Sequence, residues 1–205
     1  MSGRPRPLAG RGGCRCMRSA PLRCESMARG VYPGSFNPPT VAHLAIAEAA
    51  VEQCGLEQLD VLISVDALGK STDELLPLDR RLAALERAAA TRPWMRAGTT
   101  HHRLIADIAE GYDAIVIGAD KWRQIIDPSW YGGSEQARDD AVVRLPRIAL
   151  APRRGIEVPS PASVGATDAV LLDLHEDHHG VSATAVRAGQ HEWLVPEASD
   201  LLDEL

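Results

Sequence analysis

From Gly30 onward, short apolar runs rich in β-branched residues alternate with longer stretches in which apolar positions recur at helical spacing. The runs at 31–32, 60–65, 94–97, 113–117, 147–151 and 169–172 predict strands. Between the first two, Leu44, Ala47 and Val51 fall on one helix face, and Gly55 is a natural C-terminal stop. Leu78, Leu82, Leu85 and Ala89 repeat the pattern, and 101–110 predicts a third, shorter helix closed by Gly111. Strands alternating with helices imply right-handed crossovers, so the expected fold is one α/β domain built on a doubly wound parallel sheet. In such sheets ligands collect at the carboxyl ends of the strands. The loops after Tyr32, Val65 and Ile117 are therefore where a site is expected. The span 127–144, with Tyr131-Gly132-Gly133 inside it, shows no clear period and reads as a lid or a disordered segment.

Charge divides the chain in two. Residues 1–26 hold six Arg and one acid, while the remainder holds 16 basic and 27 acidic residues, for a net charge of −6 over all 205. The first segment is rich in Arg, Gly, Pro and Ser and has too few aliphatic residues to offset its ordering entropy. It reads as a disordered tail or as the result of a start placed upstream, with Met27 the expected beginning of a single domain over 27–205. A transit peptide is the functional alternative, but the amphipathic apolar face is missing. An acidic domain is a poor general binder of nucleic acid, which calls for clustered Lys and Arg. No apolar run approaches the ~18 residues that span a bilayer. Cys14, Cys16 and Cys24 lie in the tail and Cys54 in the periodic part, without the paired spacing of a zinc site. Such thiols suit a reducing, cytoplasmic compartment.

Two segments carry chemistry. The first predicted strand runs into Pro33-Gly34-Ser35-Phe36-Asn37-Pro38-Pro39-Thr40-Val41-Ala42-His43-Leu44. Gly34 and Ser35 leave little side chain between backbone and ligand, and a helix starting near Thr40 aims its free N–H groups and positive dipole end at the same space. His43 falls on its first turn. Near the other end, Gly180-Val181-Ser182-Ala183-Thr184-Ala185-Val186-Arg187-Ala188-Gly189 repeats the logic: Ser182 as N-cap, Thr184 in the first turn, Arg187 on the same side with a planar donor fork, Gly189 as stop. Either segment alone is also an ordinary capped helix. Together they favour a polyphosphate ligand.

Gly-Ser-Phe-Asn-Pro-Pro-Thr-x-x-His-Leu followed far downstream by Val-Ser-x-Thr-x-x-Arg resembles the nucleotidyltransferases of the HIGH superfamily, most closely the nicotinamide or nicotinate mononucleotide adenylyltransferases, over about residues 29–200. The resemblance implies a Rossmann-like domain that transfers AMP from ATP to a mononucleotide and releases pyrophosphate, with Mg²⁺ carried on the ATP phosphates and no metal site of the protein's own. It gives Thr40, His43 and Arg187 catalytic positions, and it places Gly34, Ser35, Phe36, Asn37, Ser182, Thr184 and the Gly118-Ala119-Asp120 segment, through Gly118 and Asp120, on the nucleotide. Lys70, Trp94 and Trp130 fall near the acceptor, where an aromatic face would stack on a flat heterocycle; burial in the core is the alternative for both tryptophans. His175, His178 and His179 are read as a solvated loop. Ala42 and Ala183 replace a Gly and a Ser usual in the two motifs, and a Ser-Tyr-Thr segment common in bacterial nicotinate enzymes is missing. Phosphopantetheine adenylyltransferase is the alternative acceptor class, and a nucleotide-binding sensor without turnover is the alternative to an enzyme. No nucleic-acid or membrane partner is expected, and homo-oligomerisation stays open. Deleting residues 1–26 is expected to leave activity and melting temperature unchanged; a large drop in either would show that the tail belongs to the fold.

Overall fold

The computed structural model describes residues 27–65, 75–166 and 168–205. Six strands, β1 (Arg29–Gly34), β2 (Gln58–Ser64), β3 (Met95–Thr100), β4 (Ala114–Gly118), β5 (Arg147–Ala151) and β6 (Ala169–Leu171), form one sheet in the order β3-β2-β1-β4-β5-β6. Every pairing is parallel. The connections α1 (Val41–Cys54), α2 (Leu78–Ala90), α3 (Ile105–Ile108), α4 (Ala119–Ile125) and α5 (Glu135–Val143) precede two short helices, α6 (Glu176–His179) and α7 (Ala183–Arg187). The strand order reverses between β1 and β4, so a crevice opens beyond Gly34 and Gly118. All six strands anticipated from the pattern are present, with ends shifted by a few residues.

The pleat sorts the core into two layers. Tyr32, Val116 and Ala149 face a layer with Leu44 and Ala47 of α1, Leu85 of α2 and the C-terminal residues Leu194, Val195 and Leu201. Their sequence neighbours Val31, Ile115, Ile117, Ile148 and Leu150 face a second layer with Ile108, Trp122 and Val142. This alternation is the period of 2 that a strand imposes. Helix α1 ends as expected, at Gly55 in the left-handed region (φ 65°), whose N–H returns to Val51 O.

Three expectations are corrected. The helix expected over 101–110 is a single turn, because the Thr100 hydroxyl accepts from His102 N–H at 3.2 Å and residues 101–103 stay outside the helix. The span 127–144 is built of regular turns: Asp127 caps a 3₁₀ turn over Pro128–Tyr131, Gly132 and Gly133 take positive φ, and Ser134 caps α5 through Ala137 N–H at 3.1 Å. The histidine-bearing segment is the one-turn helix α6, with His175 as its N-cap, instead of a loop.

A C-terminal 3₁₀ segment, Pro196–Glu204, packs on α2. Arg87 donates to Glu197 O at 2.7 Å and pairs with Asp200 at 2.5 Å, Arg92 pairs with Glu197 at 3.0 Å, and Leu201 is fully buried beneath these contacts. The chain end thereby closes the core on which the site segments rest. Leu201→Ala is expected to lower stability by about 2–5 kcal/mol, the range for emptying a buried leucine site. Urea unfolding checks it, and a loss under ~1 kcal/mol would show that this end is only loosely docked.

Candidate active site

The loop from β1 to α1 is shaped by what lies beneath it. Phe36 has a positive φ of 43°, a left-handed conformation costly for a residue with a side chain. Its ring is buried, edge-on to Tyr32 (centroids 5.4 Å apart) and to His43 (5.0 Å), and this packing holds the strained backbone in place. Gly34 is required by the same ring, since a Cβ there would stand 2.9 Å from a Phe36 ring carbon. Asn37 is buried as well, and its Oδ1 accepts from Leu76 N–H at 2.8 Å. Phe36 and Asn37 therefore build the loop from inside; neither lines the cavity.

Thr40 caps α1 with the reciprocal bonds of a capping box: its side chain accepts from His43 N–H, and His43 Nδ1 accepts from Thr40 N–H at 2.9 Å. An Nδ1 that accepts from a backbone N–H carries no proton, so the neutral ring holds its proton on Nε2. His43 is half-buried and presents that N–H as a donor of fixed orientation. Thr40 is 1 % exposed. Its hydroxyl engages His43 and is not among the groups that line the cavity.

The second motif comes to the same place. Ser182 caps α7 by accepting from Ala185 N–H at 3.1 Å, and Gly189 follows with φ 106°. Arg187 reaches across to donate through Nη1 to the Asn37 carbonyl, while its Nη2 lies 3.5 Å from Thr184 Oγ1. Just beyond, Val195 N–H donates to Pro39 O at 3.4 Å, and Thr40 and Leu194 form an antiparallel bridge. Two segments about 150 positions apart are thus one structural unit.

A cavity of about 480 Å³ opens at the carboxyl ends of β1 and β2, under α4 and α7. Of the residues singled out from the sequence, Gly34, Ser35, Asp120, Trp130 and Thr184 line it. Gly118 is not on the lining; it is the N-cap of α4, two residues before Asp120. Asp120 pairs with the Arg153 guanidinium beyond the carboxyl ends of β4 and β5. Trp94 does not reach it: that residue precedes β3 at the opposite, amino end of the strands, half-buried against the first core layer. Lys70 lies outside the described residues. Sequence reasoning passed over Arg103, Lys121, Tyr131 and Arg153, which also line the wall. Arg153 lies two residues past the end of β5, so the rule that drew attention to the loops after β1, β2 and β4 would have found it. Burial raises the Tyr131 phenol's pKa, opposed by the nearby Arg138 guanidinium, and leaves a neutral hydroxyl at the wall. Among the described residues no group of three His, Cys, Asp or Glu is disposed to hold a metal ion, and no helix is long and apolar enough to cross a membrane.

Residues 31–189 match the model of the cytidylyltransferase-like family. This chain belongs to that family. A probable nicotinate-nucleotide adenylyltransferase of Salinibacter ruber is 30% identical over 191 residues, spanning 84% of this chain and 92% of the relative. A protein of the same description from Bacteroides thetaiotaomicron is 27% identical over 82% of this chain and 84% of its own length. Among solved structures, Plasmodium falciparum nicotinic acid mononucleotide adenylyltransferase complexed with APC superimposes with a TM-score of 0.65 at 12% identity, over 87% of this chain and 96% of that one, a likeness of fold.

In this cytidylyltransferase-like chain the two sequence departures are sterically mild. Ala42 is buried in α1, and Ala183 follows a cap that is already complete. Gly34 is the less tolerant position, because a side chain there collides with the buried Phe36 ring, which itself packs on His43. Gly34→Ala is expected to destabilise by about 1–3 kcal/mol, as overpacking does, and to lower turnover further than the stability loss explains. Urea unfolding and a steady-state assay on the same preparation separate the two effects; unchanged stability and turnover would mean that the ring yields freely.

Proposed function

We propose that this chain is an adenylyltransferase of pyridine-nucleotide synthesis, joining the AMP portion of ATP to a pyridine mononucleotide and releasing pyrophosphate. The single observation that supports the reading is the Arg187 bond to Asn37 O, which joins the two motif segments beside the cavity lined by Gly34, Ser35 and Thr184; His43, Ser182 and Arg187 stand near these residues in the chain and not on the lining itself. The two relatives' descriptions support the acceptor class. The acceptor phosphate is already anionic near neutral pH, so it attacks the α-phosphorus without a general base. A new phosphorus–oxygen bond forms to the acceptor phosphate, the bond to the bridging oxygen of the β-phosphate breaks, and the electron pair leaves with pyrophosphate.

What remains for the protein is orientation and charge stabilisation. The Nε2–H of His43 donates to the α-phosphate as its charge grows. Arg187, Thr184 and the first N–H groups of α7 face the leaving phosphates, with the Mg²⁺ that enters on ATP. Asp120 and Gly118 receive the nucleoside. Trp130, whose large apolar side chain is partly exposed at the cavity wall, offers a ring face to the pyridine. Arg103 and Lys121 give that wall positive charge, which suits an acceptor bearing phosphate and carboxylate. The unpaired pattern of cysteines fits a cytoplasmic enzyme.

Purified protein with ATP, Mg²⁺ and each of nicotinate mononucleotide, nicotinamide mononucleotide and phosphopantetheine, followed by pyrophosphate release, tests the reading. Release with a pyridine mononucleotide is expected; release with phosphopantetheine alone would reassign the acceptor, and nucleotide binding without release for any acceptor would make the chain a sensor. His43→Ala is expected to reduce kcat by roughly 10²–10³, the cost of losing a donor aimed at transition-state charge, with little change in ATP affinity. Equal losses in both would count against that role.

A further inference from the structure

Arg81 differs from the other arginines of α2 in where its charge lies. It is 4 % exposed, while Arg80 and Arg87 reach surface carboxylates of the C-terminal segment. Arg81 Nε donates to Leu76 O at 2.8 Å and Nη1 to Ser35 O at 2.6 Å. Both acceptors are neutral carbonyls. Among the described residues no carboxylate forms an ion pair with this guanidinium. A buried cation without an anion is costly, and burial pulls its pKa below the ordinary arginine value without discharging a group that starts so high. Its location suggests what offsets that cost. Ser35 touches the guanidinium through its carbonyl and also lines the cavity. The charge sits directly behind the loop, where little water screens it. Leu76, its other partner, is in turn bonded to Asn37, so one guanidinium braces the loop at two points.

We infer that Arg81 is a positioning residue for the nucleotide's phosphate chain: it fixes the Ser35 carbonyl and supplies buried positive charge whose counter-ion is the bound polyphosphate. Arg81 does not touch the ligand; it acts through the loop backbone. The inference rests on the nucleotide-using reading above, and it differs from a packing role in one measurable respect. A packing defect weakens all ligands alike, whereas a missing charge weakens them in proportion to the phosphates they carry.

Equilibrium binding of adenosine, AMP, ADP and ATP in the presence of Mg²⁺, measured on the full chain and on Arg81→Gln and Arg81→Lys, tests it beside urea unfolding of each protein. The wild-type protein is expected to bind more tightly along the series. Arg81→Gln is expected to lose about tenfold of the preference for ATP over adenosine, the scale of a unit charge acting across partly screened protein, with adenosine binding little changed. Arg81→Lys, which keeps the charge and loses the fork, is expected to retain most of that preference. An unchanged preference in Arg81→Gln, or equal losses for adenosine and ATP, would overturn the inference. If Arg81→Gln does not fold, Arg81→Lys decides alone: a preference kept within about twofold supports the charge role, and a tenfold loss despite the retained charge overturns it. A wild-type protein that prefers adenosine to ATP would overturn the nucleotide reading and this inference together, and that result is visible before any substitution.

Discussion

The hydrogen bond from Arg187 to the Asn37 carbonyl is the constraint on which the site depends. It spans about 150 positions and joins the first crossover of the sheet to the last short helix. Buried Val186 anchors α7 to the core, and the Val195–Pro39 bond and the Thr40–Leu194 bridge hold the chain after it, but these contacts fix the backbone and not the direction of the guanidinium. A guanidinium has five N–H donors, so bonding one carbonyl leaves others for the neighbouring Thr184 hydroxyl. A lysine, with one nitrogen on a flexible stem, has no such fork to span both.

The loop that receives this bond is strained at Phe36 and polar inside, two features that need support. Support comes from satisfied hydrogen bonds. Asn37, Thr40 and Arg81 are each at most 4 % exposed, and each has a specific partner: Leu76 N–H for Asn37, His43 for Thr40, and two carbonyls for Arg81. Buried polar groups so engaged fix one geometry, since any shift leaves a group unpaired at a cost of about 1–3 kcal/mol. The aromatic contacts of Phe36 do the same for His43 from below. The imidazole is then held by three independent means: its place on the first helical turn, the Thr40 N–H, and the edge of the phenyl ring.

The strands, their alternation with helices and the two motif helices were legible in the sequence because they follow from local rules. Alternation of β-branched runs with helical spacing gives βαβ units, and Thr40, Ser182, Gly55 and Gly189 are caps and stops that act within a few residues. What long-range packing decides was not legible. Phe36 and Asn37 stand inside a motif that reads as ligand-facing, yet their side chains turn inward, because the positive φ at 36 reverses the direction the chain would otherwise take. Trp94 reads as an aromatic beside a strand, but which end of the strand it occupies decides between core and site. Asp127 and Ser134 were local signals for the turn and helix of 127–144 and were open to the same capping argument that found α1 and α7. Arg81 carried no signal at all: in the sequence it is one arginine of an Arg-Arg pair, and only its burial distinguishes it from Arg80.

Charge placement ties these points together. The chain is acidic as a whole, while among the described residues the cavity wall holds Arg103, Lys121 and Arg153 against the carboxylate of Asp120, with Arg81 behind the loop and Arg187 bonded to that loop at Asn37. A field of one sign confined to a concave, low-dielectric site is strongest for an anion small enough to enter it. In a chain of net negative charge these cations make the cavity wall a place where positive potential concentrates, and such a wall suits a small anion.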